Sequence, residues 1–289
     1  MTRFLAWLLA ASLAIPAWAQ APASAPPPKL SASEILARNA KARGGNDAWR
    51  KAETMVWSGH TESSSNPARK LPFLLELKRP DRTRFEIATP AGHSLRIYNG
   101  ANGWKLHADS RGVPSVEDYT AEELEYARGA QVIDGPLMYY AAHKATFKVA
   151  GLDTVDGHDT YVLTVRLPAG DGGHVWVDAT SFLEVRFDRE TRAAAARTAT
   201  TTMYYHDYRE FKGLKLPVII ETAAGASKDS NKLVIEKVAI NPPIEDKTFD
   251  KPPILPKRRG AIVVDTRGVA AAAQARPLPP PVPPQPPQR

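Results

Sequence analysis

The sequence contains no cysteine. That excludes disulfide staples, thiolate metal sites, iron–sulfur clusters, a cysteine nucleophile and a lipid anchor on an N-terminal cysteine. Catalytic signatures are missing too. There is no Gly-x-Ser-x-Gly elbow, no His-Glu-x-x-His, no phosphate-cradling Gly-x-x-x-x-Gly-Lys-Ser/Thr and no Gly-x-Gly-x-x-Gly after a strand. The seven histidines are scattered singly, none four residues from another. His158 sits in Asp-Gly-His-Asp, where Asp-Gly reads as a hairpin turn rather than part of a ligand set. His206 and Asp207 are neighbours in a strand-like stretch, so their side chains should point to opposite faces. No catalytic residue, metal or cofactor is expected, and the chain reads as a binding protein rather than an enzyme.

What is present suffices for a folded domain. The 289 residues are 43% hydrophobic and include six Trp, nine Tyr and eight Phe. Met1 to Ala19 combine Arg3, an apolar run from Phe4 to Ile15, the breaker Pro16 and the small residues Ala17 and Ala19. This is the layout of a signal peptide (1–19) cleaved after about Ala19. The apolar run is shorter than the roughly 20 residues a membrane-spanning helix needs, and no later run reaches that length. Export to the periplasm is the expectation, with no transmembrane segment in the mature chain.

Charge and proline divide the remainder. The net charge of +7 is concentrated in the tails, and residues 31–250 come to −1. A neutral central domain in an exported chain argues against nucleic acid as a partner. Residues 21–30 hold four of the 26 prolines and residues 251–289 hold eleven. We therefore divide the chain into the signal peptide, a Pro/Ala-rich linker (20–30), one folded domain (31–252) and a basic Pro-rich tail (253–289). The tail favours extended polyproline II and reads as a disordered spacer. A sharper reading makes it a tether to an envelope protein or cell-wall polymer.

Within the domain, Ser31-Ala-Ser-Glu34 forms a capping box for a helix that Gly44-Gly45 should end, with a short helix following over Asn46 to Ala52. From Thr54 the pattern becomes short segments of period two or mixed apolar character, rich in Val, Ile, Thr, Tyr and Phe. Asn-Gly (99–100 and 102–103), Asp-Gly (156–157), Gly-Asp-Gly-Gly (170–173) and Lys-Gly (212–213) punctuate them as turns. About eleven antiparallel strands should form, and a sheet that large curls or closes. One insert breaks the pattern: Thr120 to Glu123 is a second capping box, and an apolar helical stretch should run on to about Ala145. It should lie on the concave face of the sheet.

Six stretches in order carry a resemblance: RNAKARGGNDAWRKAETMVWSG, LELKRPDRTRFEI, IYNGANGWKL, HVWVDATSFLEVRFD, YYHDYREFKGLKLPVIIE and INPPIEDKTFDKP. Together they resemble the outer-membrane lipoprotein-sorting superfamily, the LolA/LolB/RseB-like periplasmic carriers and related sensors. The resemblance implies an α+β, mainly β fold: an unclosed antiparallel β-barrel with helices on its concave side. It also implies a cavity for the acyl chains of lipoproteins or other lipids. On that reading Trp57, Phe73, Leu75, Leu77, Phe85, Ile87 and Trp104 should line the sheet side, with Leu124, Leu137 and Tyr140 on the helical side. The alternative is a sensor or scaffold that uses the same fold and docks a partner through the tail. An envelope hydrolase is a third class, for which the sequence supplies no nucleophile–base pair.

Overall fold

The computed structural model describes residues 27–108, 112–128, 133–168, 172–192, 198–225 and 229–253. The expected signal peptide and the Pro-rich run 277–289 lie outside the described residues.

The first helix, α1 (Ala32–Ala42), starts where its capping box should place it. The Ser31 hydroxyl accepts from the Glu34 amide at 3.3 Å, and the Glu34 carboxylate accepts from the Ser31 amide at 2.9 Å. Gly44 then turns the chain at φ +105°, followed by the short α2 (Asn46–Arg50).

Among the described residues thirteen strands form one antiparallel sheet. Six precede the helical insert: β1 (Thr54–Ser63), β2 (Asn66–Lys78), β3 (Arg82–Thr89), β4 (Gly92–Asn99), β5 (Gly103–Ala108) and β6 (Pro114–Asp118). The insert holds α3 (Ala121–Arg128) and α4 (Pro136–Ala142). Seven strands follow: β7 (Thr146–Val155), β8 (His158–Arg166), β9 (Gly172–Asp178), β10 (Glu184–Arg192), β11 (Thr198–Phe211), β12 (Leu214–Ala224) and β13 (Ser230–Ile240). The spatial order is β6-β5-β4-β3-β2-β1-β13-β12-β11-β10-β9-β8-β7. Two meanders are thus joined at the centre by the β1–β13 pair, and the insert carries the chain from one free edge, β6, to the other, β7.

The turns follow their residue chemistry. Asp156 and Gly157 take φ +50° and +81°, and Lys212 and Gly213 take +49° and +82°. Both pairs give the positive φ values that a two-residue hairpin requires. The two Asn-Gly pairs do not make two turns. Asn99 accepts from the amides of Ala101 and Asn102, closing a single β4–β5 loop, and Gly103 already belongs to β5. Gly103 is packed so closely under the Tyr119 ring that a side chain there would overlap it. The strand count exceeds the expected eleven in part because β6, Pro-Ser-Val-Glu-Asp, is short and polar. The insert is also not one helical run: Gly135 and Pro136 restart it as α4.

The sheet curls, and α3 measures by how much. Lys105 on β5 donates to Glu123 at 3.2 Å, while Arg189 on β10 donates to the Tyr126 carbonyl at 2.9 Å. Those two anchors are one helical turn apart. In a flat sheet the eight strand spacings between β5 and β10 would cover about 40 Å. The sheet is nevertheless not closed into a barrel, since β6 and β7 do not pair.

Three apolar clusters hold it. Ile35 of α1 and Leu137 and Tyr140 of α4 pack on Tyr161, Leu163, Val175, Val177 and Phe187 of β8 to β10. Trp49 and Ile133 pack on Met55, Trp57, Phe73, Leu77, Leu216, Val218 and Ile235 at the centre. On the outer face Phe249, from a 3-10 turn at Asp246–Phe249, covers Leu95 and Ile97.

Gly44 is where backbone conformation and packing coincide. Its φ is left-handed, and a methyl group there would fall on the Gly213 carbonyl oxygen. Gly44→Ala should cost about 1–3 kcal/mol or more from overpacking and strain. Urea denaturation should show a lower midpoint with an unchanged slope.

Candidate ligand-binding cavity

Between the insert and the sheet lies a cavity of about 550 Å³. Its walls follow from strand register. Trp57 on β1 pairs with Leu75 on β2, Leu75 with Phe85 on β3, and Phe85 with Arg96 on β4. Directly paired residues share a face, so one row of side chains runs across the inner surface, and all four line the cavity. Leu77 and Thr83 belong to the next row. From the other meander come Met203, Tyr205 and Tyr208 on β11 and Leu216, Pro217 and Ile220 on β12. The insert supplies Tyr126, Ala127, Ile133 and Pro136 as the roof.

Four of the ten residues expected from the sequence, Trp57, Leu75, Leu77 and Phe85, come together on this wall. Phe73 shares their face but is buried in the central core, its ring 5.8 Å from that of Phe85. Ile87 packs against the same core. Trp104 pairs with Ile97, one residue beyond Arg96, and so lies on the opposite face of the sheet, beside Leu95, Ile97 and Phe249. Leu124 is half-buried on α3 and outside the lining. Leu137 and Tyr140 are spent in the core beneath α4, where the Tyr140 ring meets Phe187 edge-on at 5.8 Å.

The β11 contribution has a local cause. Tyr205 and Tyr208 are three apart and would face opposite ways in a regular strand. Asp207 adopts φ +51°, which breaks the alternation and lets both reach the cavity. Asp207 itself points to solvent and pairs with Arg209 at 2.5 Å, while His206 stacks on Tyr204. They form no dyad.

One side of the cavity is charged and buried. Arg43, the residue that ends α1, lies 3.1 Å from Glu184, with side-chain exposures of 3% and 0%. It donates from Nε to the Lys215 carbonyl at 3.3 Å and stacks over Trp49 at 4.4 Å. Tyr208 donates to the Glu184 carbonyl oxygen at 2.9 Å. Burial alone would lower the Arg43 pKa; the Glu184 carboxylate outweighs it and holds the guanidinium charged. Burial, reinforced by the same carboxylate, pushes the Tyr205 and Tyr208 phenols well above the ordinary range, so both stay protonated.

The other side is charged and wet. Arg96 is half-exposed, Tyr126 is 45% exposed, and Glu122, Glu123 and Glu125 complete this rim. Glu123 is held by Lys105 at 3.2 Å and by the Thr120 amide at 3.0 Å. The insert is pinned further along by Arg79, which donates to Asp134 at 2.8 Å and to the carbonyls of Ala52 and Trp49.

This architecture can be compared with solved structures. A LolA superfamily protein from Nitrosomonas europaea superposes with a TM-score of 0.51 at 15% identity, covering 77% of this chain and 99% of that one. A DUF1329 family protein from Desulfovibrio piger gives 0.51 at 11% identity, covering 75% and 96%. A domain from Vibrio parahaemolyticus, named for outer-membrane lipoprotein sorting, gives 0.50 at 11% identity, covering 75% and 95%. The chain has the lipoprotein-sorting fold. No family sequence model matches it, and no curated protein sequence does. The likeness therefore lies in the fold, and a fold by itself does not fix a function. Among the described residues no group of three His, Asp or Glu is placed to hold a metal, and no helix is long and apolar enough to cross a membrane.

Arg43→Met should be costly, because it leaves Glu184 buried and unpaired. A loss of about 3–5 kcal/mol is expected. Adding Glu184→Leu should recover part of that loss, and a double-mutant cycle by chemical denaturation reads the coupling directly.

Proposed function

We propose that the protein is a periplasmic binding or carrier protein that holds an acyl chain of a lipoprotein or other amphiphile between the curled sheet and the insert. The observation that carries this reading is the cavity of about 550 Å³ walled by Trp57, Leu75, Leu77, Phe85, Met203 and Ile220. Natural small-molecule sites fall in this size range and share this apolar character. Each buried methylene contributes about 0.8 kcal/mol, so ten of them contribute on the order of 8 kcal/mol before the costs of association. The signal-peptide layout of 1–19 and the lipoprotein-sorting fold support a place outside the cytoplasm. Release would require the insert to lift from its ties at Glu123, Tyr126 and Asp134, or a partner to compete for the cargo.

Native mass spectrometry with organic extraction, on protein purified from a periplasm without detergent, tests the reading. Wild type should carry acyl-containing mass. Phe85→Asp should abolish it, since a carboxylate in the apolar wall opposes the chain, while Leu152→Asp on the exposed outer strand β7 should not. A wild-type protein that is free of amphiphile and ignores added lipid and lipopeptide would refute the carrier role.

A further inference from the structure

We infer that the free edge of β7 is an interface between two copies of this chain, joined antiparallel about a two-fold axis that passes between Ala150 and Gly151. This goes beyond the carrier reading and does not depend on it.

The two free edges of the sheet are built differently. β6 has five residues, Pro114–Asp118, and opens with a proline, so it offers another strand a short and interrupted run of backbone groups. β7 has ten residues, Thr146–Val155, and Lys148 to Thr154 are all exposed. Val149 is 39% exposed and Leu152 51%, two of the four large hydrophobic side chains that stand exposed among the described residues. Both continue the core outward: on β8, Val149 pairs with the buried Leu163 and Leu152 with the buried Tyr161. The apolar layer that packs under α1 and α4 thus reaches the edge and ends there uncovered. A free, apolar strand edge is the surface to which another strand adds.

The bulge in β7 selects the partner. Val149 pairs with Leu163 and Gly151 with Val162, so Ala150 is an extra residue. It brings Val149 and Leu152, three apart, onto the inner face. Lys148 and Asp153, paired with Thr164 and Thr160, fall on the outer face. A bulge and a lysine often keep an edge unpaired. On this strand they are placed symmetrically about the Ala150–Gly151 bond. Antiparallel pairing about that point sets Val149 against Leu152 of the second copy, and Lys148 against Asp153 of the second copy, each contact occurring twice. The apolar pairs share one face and the ion pairs the other, with the two bulges opposed at the axis. A slip by two residues in either direction sets Lys148 against Gly151 or Val155 and loses the charge match. Asp153 already accepts from Trp176 and from the Thr154 amide, each at 2.8 Å, and a carboxylate has room for a further donor. A two-fold interface requires one surface to fit itself, and this edge does so in both charge and apolar pattern. That favours a second copy over an unrelated strand.

Sedimentation equilibrium on protein purified from a periplasm should show a concentration-dependent dimer. Leu152→Asp should abolish it. Lys148→Glu and Asp153→Lys each set like charges opposite one another and should raise the dissociation constant about tenfold or more. An equimolar mixture of those two variants should recover association through the heterodimer. Because the sequence has no cysteine, a second measurement needs no change of charge. Under oxidation, a mixture of Val149→Cys and Leu152→Cys chains should give a cross-linked dimer, and either chain alone should give far less. Wild type that stays monomeric at every concentration overturns the inference. So does a dimer that Leu152→Asp leaves intact, or a mixture of the two cysteine variants that cross-links no better than either chain alone.

Discussion

One chain segment has to join the two free edges of a thirteen-stranded sheet. The strands are laid down as two meanders that grow outward from a central β1–β13 pair, so β6 and β7 end as far apart in the sheet as they can be. The connection must pass over one face, and it cannot do so cheaply unless that face is concave. The link from β5 through Glu123 and Tyr126 to β10 shows the outcome: strands eight spacings apart are brought within reach of a single helical turn. Curvature, roof and cavity follow from the same connectivity.

The roof is not uniform. Over β8 to β10 the inner face is filled by Ile35, Leu137 and Tyr140. Over β1 to β3 lies the cavity. The helical pattern of the insert is broken at Gly135 and Pro136, and Gly135 lies so close to the Arg43 guanidinium that a side chain there would overlap it. The buried Arg43–Glu184 pair thus sits at the boundary between the filled and unfilled halves. A pair of this kind adds little net stability compared with well-packed hydrophobic residues. It does fix which groups may approach: α1, α2, β10, β11 and β12 all contribute atoms to its surroundings.

Much of this could be read from residue patterns. Period-two segments, Asp-Gly and Lys-Gly turns and two capping boxes lead to the right elements, because each depends on neighbours within a few residues. Side-chain destination does not. Whether Trp104 faces in or out depends on how many residues the β4–β5 loop consumes, and two adjacent Asn-Gly pairs offer more than one count. Leu137 and Tyr140 are as apolar as cavity residues ought to be, yet which half of the sheet α4 covers is decided by its packing against α1. The kink at Asp207 carries no signal beyond the tolerance of Asp for positive φ. Arg43 looks like a routine basic residue at a helix C-terminus until β10 brings Glu184 to it from 141 positions away.

The unfilled half is the part that requires explanation. On the scale of core truncations, about 24 cal/mol per Å³, a sealed and empty apolar void of this size would cost on the order of 13 kcal/mol, as much as the entire stability of an ordinary domain. The chain does not seal it. Arg96 and Tyr126 stay partly in water at one end, and the ties that hold the insert there are the partly exposed Glu123 ion pairs and the buried Arg189, which donates to the Tyr126 carbonyl. Ion pairs of that kind are individually weak, whereas the α4 end is anchored by a dry core. The insert is thus tied in two ways: by apolar packing over the filled half, and by the Glu123 ion pairs and the Arg189 contact to Tyr126 beside the cavity.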